Sequence, residues 1–260
     1  MSLTVIVPVK DDPRIFACVD SIRAAACDRE LEIIVIDNRS SAEFARKLRA
    51  LDEQGVSVIS AEGTVYAARN RGVAASSGDI VLFTDADCTV HPDWMTTALA
   101  VISRGSDIAQ GLAGSAGDTF RDRVIQARYE APFRGMRPGT PVLCDTRNFA
   151  ARRAVLDRVR FEESFRRVGD TELGLRAEAL GFRVAFVPEM RVDHQHEPAL
   201  DVFIAKQVCH GWGAARLMHE SPGLPWHGGH LLLTATWLPR LRRLPFHRAA
   251  GRLIGRASIA

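Results

Sequence analysis

Across its first third, the chain alternates short apolar runs with longer stretches of helical period. Segments 3–9, 31–36 and 80–83 are short, almost uninterrupted runs rich in Val, Ile and Leu, as expected of strands buried on both faces. Residues 56–59 make a shorter strand. Helical patterns at 14–25, 42–51 and 65–75 separate these strands. The junctions carry turn chemistry: Lys10-Asp11-Asp12-Pro13, Asp37-Asn38-Arg39-Ser40 and Ser77-Gly78. Strands alternating with helices predict an α/β fold, a doubly wound and mostly parallel sheet.

Beyond residue 87 the pattern loosens. It predicts a helix over 92–102, a strand over 107–111, and a partly helical, charge-rich stretch over 116–139 that reads as a loop above the site. Residues 141–144 are strand-like and 152–159 helical; 171–179 is a helix stopped by Gly181, and 183–187 is strand-like. A long helix fits 198–219. A Pro/Gly cluster then opens a C-terminal appendage over 221–260, which leaves 1–220 as the folded body. There is no internal repeat.

Charge distribution adds to this division. The chain carries +3 overall, but residues 221–260 hold six arginines and no acid, so the body alone is at −3. A basic amphipathic tail containing Trp237 suits an anionic partner or the surface of an anionic membrane. The five cysteines are odd in number and lack metal-ligand spacing, which fits a reducing cytosol better than a disulfide framework. The chain opens without a basic leader, and no window has the roughly 20 apolar residues a membrane span needs. The expected location is cytoplasmic, with the tail offering contact at the inner face of the membrane.

The chemistry concentrates at Asp85-Ala86-Asp87, directly after the apolar run 80–83. A buried strand delivers such residues to the sheet edge where α/β proteins place ligands. Two carboxylates there suit Mg²⁺ or Mn²⁺, and through the ion a diphosphate. The plainer reading is a helix cap ahead of Pro92. Asp37 ends the second strand, either to accept an imide N–H from a nucleobase or to form an Asx turn. Arg69 reads as a diphosphate or ribose contact, or as a solvated helix position. Asp170 precedes the helix at 171 and is either a base or an N-cap. His194 and His196 share a strand face within a cluster of potential ligands, and an imidazole would favour Mn²⁺ over Mg²⁺. Trp94 reads as an apolar wall of the site or as core. The glycines of His210-Gly211-Trp212-Gly213 interrupt a helical pattern without an evident role.

Six segments in order resemble family 2 glycosyltransferases of the GT-A type. Val5-Ile6-Val7-Pro8-Val9-Lys10 is similar to that family's opening strand, and Val35-Ile36-Asp37-Asn38-Arg39-Ser40 to its nucleotide turn. Ala68-Arg69-Asn70-Arg71-Gly72 is similar to its Ala-Arg-Asn-x-Gly helix, and Asp85-Ala86-Asp87 to its DxD motif. Thr146-Arg147-Asn148-Phe149-Ala150-Ala151-Arg152-Arg153 resembles the acceptor-side Asn-x-Ala-x-Arg-Arg stretch, and Gly169-Asp170-Thr171-Glu172-Leu173-Gly174-Leu175-Arg176 the Glu-Asp-x-Asp-Leu-x-x-Arg motif.

The resemblance implies a Rossmann-like sheet whose first half, 1–90, binds the nucleotide sugar and whose second half, 91–220, binds the acceptor. It implies that Pro8, Val9, Asp37, Arg69, Asp85, Ala86 and Asp87 serve the donor, with Asp87 and Asp85 on a divalent metal together with His194 or His196. It makes Asp170 the base of an inverting transfer and places Trp94, Asn148 and Glu172 on the acceptor side. A UDP-sugar is the favoured donor; the acceptor is a small molecule, a glycan or a lipid-linked sugar, and nucleic acid is not a partner. Gly169 departs from the pattern where Glu is common, and Glu172 stands where Asp is common. Two rival functions remain: a non-catalytic nucleotide-sugar binder, and a nucleotidyltransferase. The second needs a Gly-rich phosphate loop after the first strand, which Val9-Lys10-Asp11-Asp12-Pro13 is not.

Overall fold

The computed structural model describes residues 1–26, 29–134, 142–196 and 199–220. The basic tail at 221–260 lies outside the described residues, as does the end of the charge-rich stretch over 135–141.

The first half forms as its pattern predicts. Strands β1 (Leu3–Val9), β2 (Leu31–Asp37), β3 (Ser57–Ser60) and β4 (Ile80–Phe83) alternate with helices α1 (Ile15–Ala26), α2 (Ala42–Asp52) and α3 (Val65–Ala75). The strands lie in parallel in the order β3-β2-β1-β4. Strand period sorts their side chains between two cores. Val5, Val7, Val9, Ile33, Val35 and Leu82 pack beneath α1 and the following helix α4 (Trp94–Ser103). Ile6, Ile34, Ile36, Val81 and Phe83 pack beneath α3 on the other face. Each such fully buried side chain contributes about 1.5–3 kcal/mol relative to exposure. Ser41 and Thr64 cap α2 and α3 by accepting the N–H groups of Phe44 and Ala67.

The second half departs further from its pattern. After β4 come β5 (Cys88–Val90), α4, β6 (Ile108–Ser115), α5 (Phe120–Arg134), β7 (Phe149–Arg152), α6 (Arg153–Arg158), α7 (Gly169–Ala179), β8 (Val184–His194) and α8 (Leu200–Glu220). The eight strands form one sheet in the order β3-β2-β1-β4-β7-β6-β8-β5, in which β7 and β5 run against the rest. Three expectations are corrected here. Residues 142–144 are not a strand; Phe149–Arg152 is, because Phe149 and Ala151 pack with Phe83 and Val81 in the α3-side core. Within the charge-rich stretch, residues 120–134 form helix α5, so the partly helical pattern holds there and the loop reading does not. Helix α7 starts at Gly169, so Asp170 lies within its first turn instead of before it.

Among the described residues, no helix is long and apolar enough to cross a membrane. Cys18, Cys88, Cys144 and Cys209 are free thiols, and burial pushes the first three to higher pKa, which keeps them protonated.

Candidate active site

The parallel strands end together where β1 lies between β2 and β4, the position at which connections leave the sheet in opposite directions. Asp37 is the last residue of β2. Its Oδ1 accepts the Ser40 N–H at 2.9 Å, so the turn reading holds for that oxygen. Arg39 sits in the left-handed region with φ 65° and shapes the same turn. Pro8 is buried beside Ile36, while Val9 packs its side chain into the core and its carbonyl accepts the Asn38 N–H.

Beyond β4, Asp85-Ala86-Asp87 makes a tight turn. The Asp85 carbonyl accepts the Cys88 N–H at 3.0 Å, and Ala86 is buried. The two carboxylates point to different cations. Asp85 Oδ1 accepts from Arg69 Nη2 at 2.6 Å, and Arg69 is buried rather than a solvated helix position. Asp87 Oδ2 lies 3.2 Å from His194 Nε2 and 3.7 Å from Arg14 Nη2. Although burial opposes ionisation, His194 and Arg14 hold the Asp87 carboxyl well below the usual carboxylate range.

His194 reaches Asp87 because β5 pairs antiparallel with the end of β8, which places Cys88 opposite His194. The Gln195 N–H then donates to the Asp87 carbonyl at 2.9 Å. The two histidines are thereby distinguished: His194 meets the aspartate, and His196 lies behind it, Nδ1 to Nδ1 at 3.0 Å. Burial, with His194 and Arg147 nearby, pulls His196 down to about 4, so it is neutral at ordinary pH. Its Nε2 is buried without a hydrogen-bond partner. Tyr129 of α5 stacks on His196 and meets His194 edge-on, and the Arg147 guanidinium lies 4.3 Å from the Tyr129 ring centroid. Among the described residues, no three His, Cys, Asp or Glu side chains converge on one point that could hold a metal ion. The pair Asp87–His194 fits an ion that takes its remaining ligands from a bound diphosphate, as hard divalent cations at phosphate sites do.

Asp170 stands in the first turn of α7. Its Oδ2 accepts from the N–H and hydroxyl of Thr146, both at 3.2 Å, and its Oδ1 accepts from Thr171 N–H at 3.0 Å and Tyr66 OH at 3.3 Å. Burial and the neighbouring Asp145 push its carboxyl upward, while Arg69 and the amide hydrogen bonds pull the other way. The residue before this turn, Val168, is held at φ 61°, a strained value for a β-branched side chain. Helix α8 packs against that turn: a Cβ at Gly213 would come within 2.6 Å of the Arg167 carbonyl oxygen. Close approach thus accounts for one of the two glycines that the sequence left without a role.

The acceptor-side expectations divide. Trp94 has no exposed surface, and its indole N–H donates to Asn148 Oδ1 at 2.8 Å; Asn148 is equally buried. The core reading of Trp94 holds, and neither side chain presents a surface to a ligand. Glu172 is buried and paired with Arg176 one turn along. Side chains given no role in the sequence stand here instead: Tyr66, Tyr129, and the half-buried Asp145–Arg147 pair, in which Asp145 is held down to about 2 and Arg147 is raised. Tyr66 was legible as lying three residues before Arg69, on the same face of α3.

Comparison with known proteins settles the family. A model of the glycosyl transferase family 2 matches residues 4–160, more than half of the chain. The chain belongs to glycosyl transferase family 2. It is 26% identical over 208 residues to the glycosyltransferase AglE of Haloferax volcanii, covering 75% of this chain and 67% of that protein. It is 27% identical over 283 residues to the pre-mycofactocin glycosyltransferase of Mycobacterium tuberculosis, covering 98% of this chain and 57% of the relative. The O-antigen biosynthesis protein RfbC of Myxococcus xanthus is 28% identical over 264 residues, and the chain spans 20% of its length.

Solved structures share the fold. The mannosyltransferase PcManGT of Pyrobaculum calidifontis, in complex with GDP-Man and Mn²⁺, superposes with TM-score 0.66 at 18% identity, covering 98% of this chain and 72% of that one. TarS of S. aureus with UDP-GlcNAc gives 0.63 at 16% identity, covering all of this chain and 82% of TarS. The mostly parallel sheet of this family 2 protein is the GT-A fold.

Proposed function

We propose that this family 2 protein transfers a sugar from a nucleoside-diphosphate donor to an acceptor hydroxyl, with inversion and with Asp170 as general base. The observation that carries the reading is a continuous set of contacts at the strand ends. Asp85 binds Arg69, Arg69 lies over the Tyr66 ring, and Tyr66 bonds Asp170, while Asp87 meets His194 beside them. One face of α3 therefore ties the donor acids to the base.

Each residue has a distinct task. Asp37 offers a carboxylate to an imide N–H, which uracil and guanine have and cytosine lacks, and UDP is the favoured donor nucleotide. Pro8 and Val9 border the base through backbone alone. Arg69 supplies charge-assisted hydrogen bonds toward ribose or diphosphate. Asp87, Asp85 and His194 would hold a divalent cation, Mn²⁺ or Mg²⁺, which neutralises charge on the departing diphosphate. Asp170 takes the proton of the acceptor hydroxyl on the opposite face of the sugar.

The test is thermal stability against UDP, GDP, dTDP and CDP, each with and without Mn²⁺. A ligand at one hundred times its Kd raises stability by about 2.7 kcal/mol. One nucleotide should stabilise the protein, only with Mn²⁺, and the shift should vanish in Asp87→Ala. Equal stabilisation of that variant would remove Asp87 from the donor site.

The tail at 221–260 supports a peripheral contact with an anionic lipid surface, which suits a lipid-linked acceptor. The full chain should co-sediment with vesicles containing phosphatidylglycerol and not with phosphatidylcholine vesicles. A chain ending at residue 220 that sediments equally well would discard the idea.

A further inference from the structure

Tyr66 is almost wholly buried, 3% exposed, and its hydroxyl stands between two groups of the 169–170 turn. The phenol oxygen accepts the Gly169 N–H at 2.8 Å. Its own proton is then directed to Asp170 Oδ1 at 3.3 Å. The ring is fixed by stacking on Phe161, centroids 5.7 Å apart and 19° between planes, with the Arg69 guanidinium 5.7 Å from its centroid. Gly169 completes the arrangement, because a Cβ there would lie 2.7 Å from the Tyr66 ring. The glycine that replaces the family's usual Glu and the tyrosine three residues before Arg69 are thus two halves of one construction.

We propose that Tyr66 is a positioning residue for Asp170, fixing Oδ1 so that the acceptor hydroxyl meets Oδ2. The inference rests on Asp170 being the base. Of the four hydrogen bonds to the carboxylate, two come from backbone N–H groups and one from the buried phenol. The fourth, from the Thr146 hydroxyl, turns on a single bond, so the acceptor can displace it at Oδ2. A phenol donor also stabilises the ionised carboxylate. Around the pair stand Asp145, which raises the Asp170 pKa, and Arg69, which lowers it. Asp170, Arg69 and Arg167 face the phenol, and burial together with Asp170 keeps it protonated. Glu172 of the same helix is occupied by Arg176.

The carboxyl titration of Asp170 can be read directly in the free protein by ¹³C NMR, its resonance assigned by absence in Asp170→Asn. Tyr66→Phe keeps the ring and removes the donor, and the midpoint should rise by about one pH unit, since hydrogen bonds to charged groups are worth about 1.5–3 kcal/mol. Incorporation of 3-fluorotyrosine at position 66, a stronger donor, should move it down. In metal-dependent hydrolysis of the sugar nucleotide that stabilises the protein, Tyr66→Phe should shift the acid limb upward by the same amount with KM unchanged. A purely packing role would lower the melting temperature and leave both midpoints in place, overturning the proposal. If Asp170→Asn keeps full turnover, the base reading fails and the proposal with it. If that variant is inactive and the Tyr66→Phe midpoint does not move, the tyrosine proposal alone fails.

Discussion

Asp170→Asn should lower turnover by about 10²- to 10⁴-fold, the usual contribution of a positioned base, and leave nucleotide binding intact. The partners of the carboxylate are Thr146, Thr171 and Tyr66, none of which is a proposed metal ligand, so the substitution leaves the proposed metal ligands in place. Burial and Asp145 raise its pKa, which makes it a stronger base than an exposed Asp. The rate requires the ionised form, so wild-type activity should fall as pH drops through a value above that of an ordinary Asp. The variant should lose that limb. Its amide turns an N–H₂ toward groups that themselves donate, so a loss of a few degrees in melting temperature should accompany the kinetic loss. Turnover within tenfold of wild type, with nucleotide stabilisation unchanged, would move the base elsewhere.

The N-terminal half was legible because its determinants are local. Each of β1, β2 and β4 is an apolar run that ends at a turn, and Asp37 and Asp85–Asp87 follow those ends directly. The C-terminal half was not, because its determinants are pairings between distant segments. β7 is four residues, Phe149–Arg152, chosen as a strand by partners on both sides, Phe83 in β4 and Gln110 in β6. β5 is three residues with no pattern of its own, yet its pairing with β8 decides that His194 rather than His196 meets Asp87. Tyr66 and Gly169 show the same limit, since 103 positions separate the two atoms that bond. The glycine at 169, which departs from the family pattern in the sequence, is matched by the Tyr66 side chain of another helix.

Asn148→Ala should destabilise the protein by about 3–5 kcal/mol, more than any loss of acceptor affinity, because its side chain joins three elements rather than a ligand. Its Oδ1 accepts from the Trp94 indole on α4 at 2.8 Å. Its Nδ2 donates to the carbonyls of Leu112 in β6 at 2.9 Å and Met190 in β8 at 2.7 Å. Those two carbonyls lie where the β6–β8 register slips between Gly111 and Leu112, so the strands do not fully satisfy each other there. Removing the amide strands three buried polar groups, each costing about 1–3 kcal/mol, less what an entering water recovers. At about 2–4 °C per kcal/mol for a chain of this size, the melting temperature should fall by about 6–20 °C. Trp94→Phe removes one partner only, leaves Oδ1 unpaired, and should cost less. If Asn148→Ala melts with wild type and loses only acceptor affinity, the side chain faces the site in solution, and the acceptor-contact expectation is restored. The slip at Gly111 delivers the end of β8, and with it His194, to Asp87, so a loosened register should also weaken Mn²⁺-dependent stabilisation by the nucleotide.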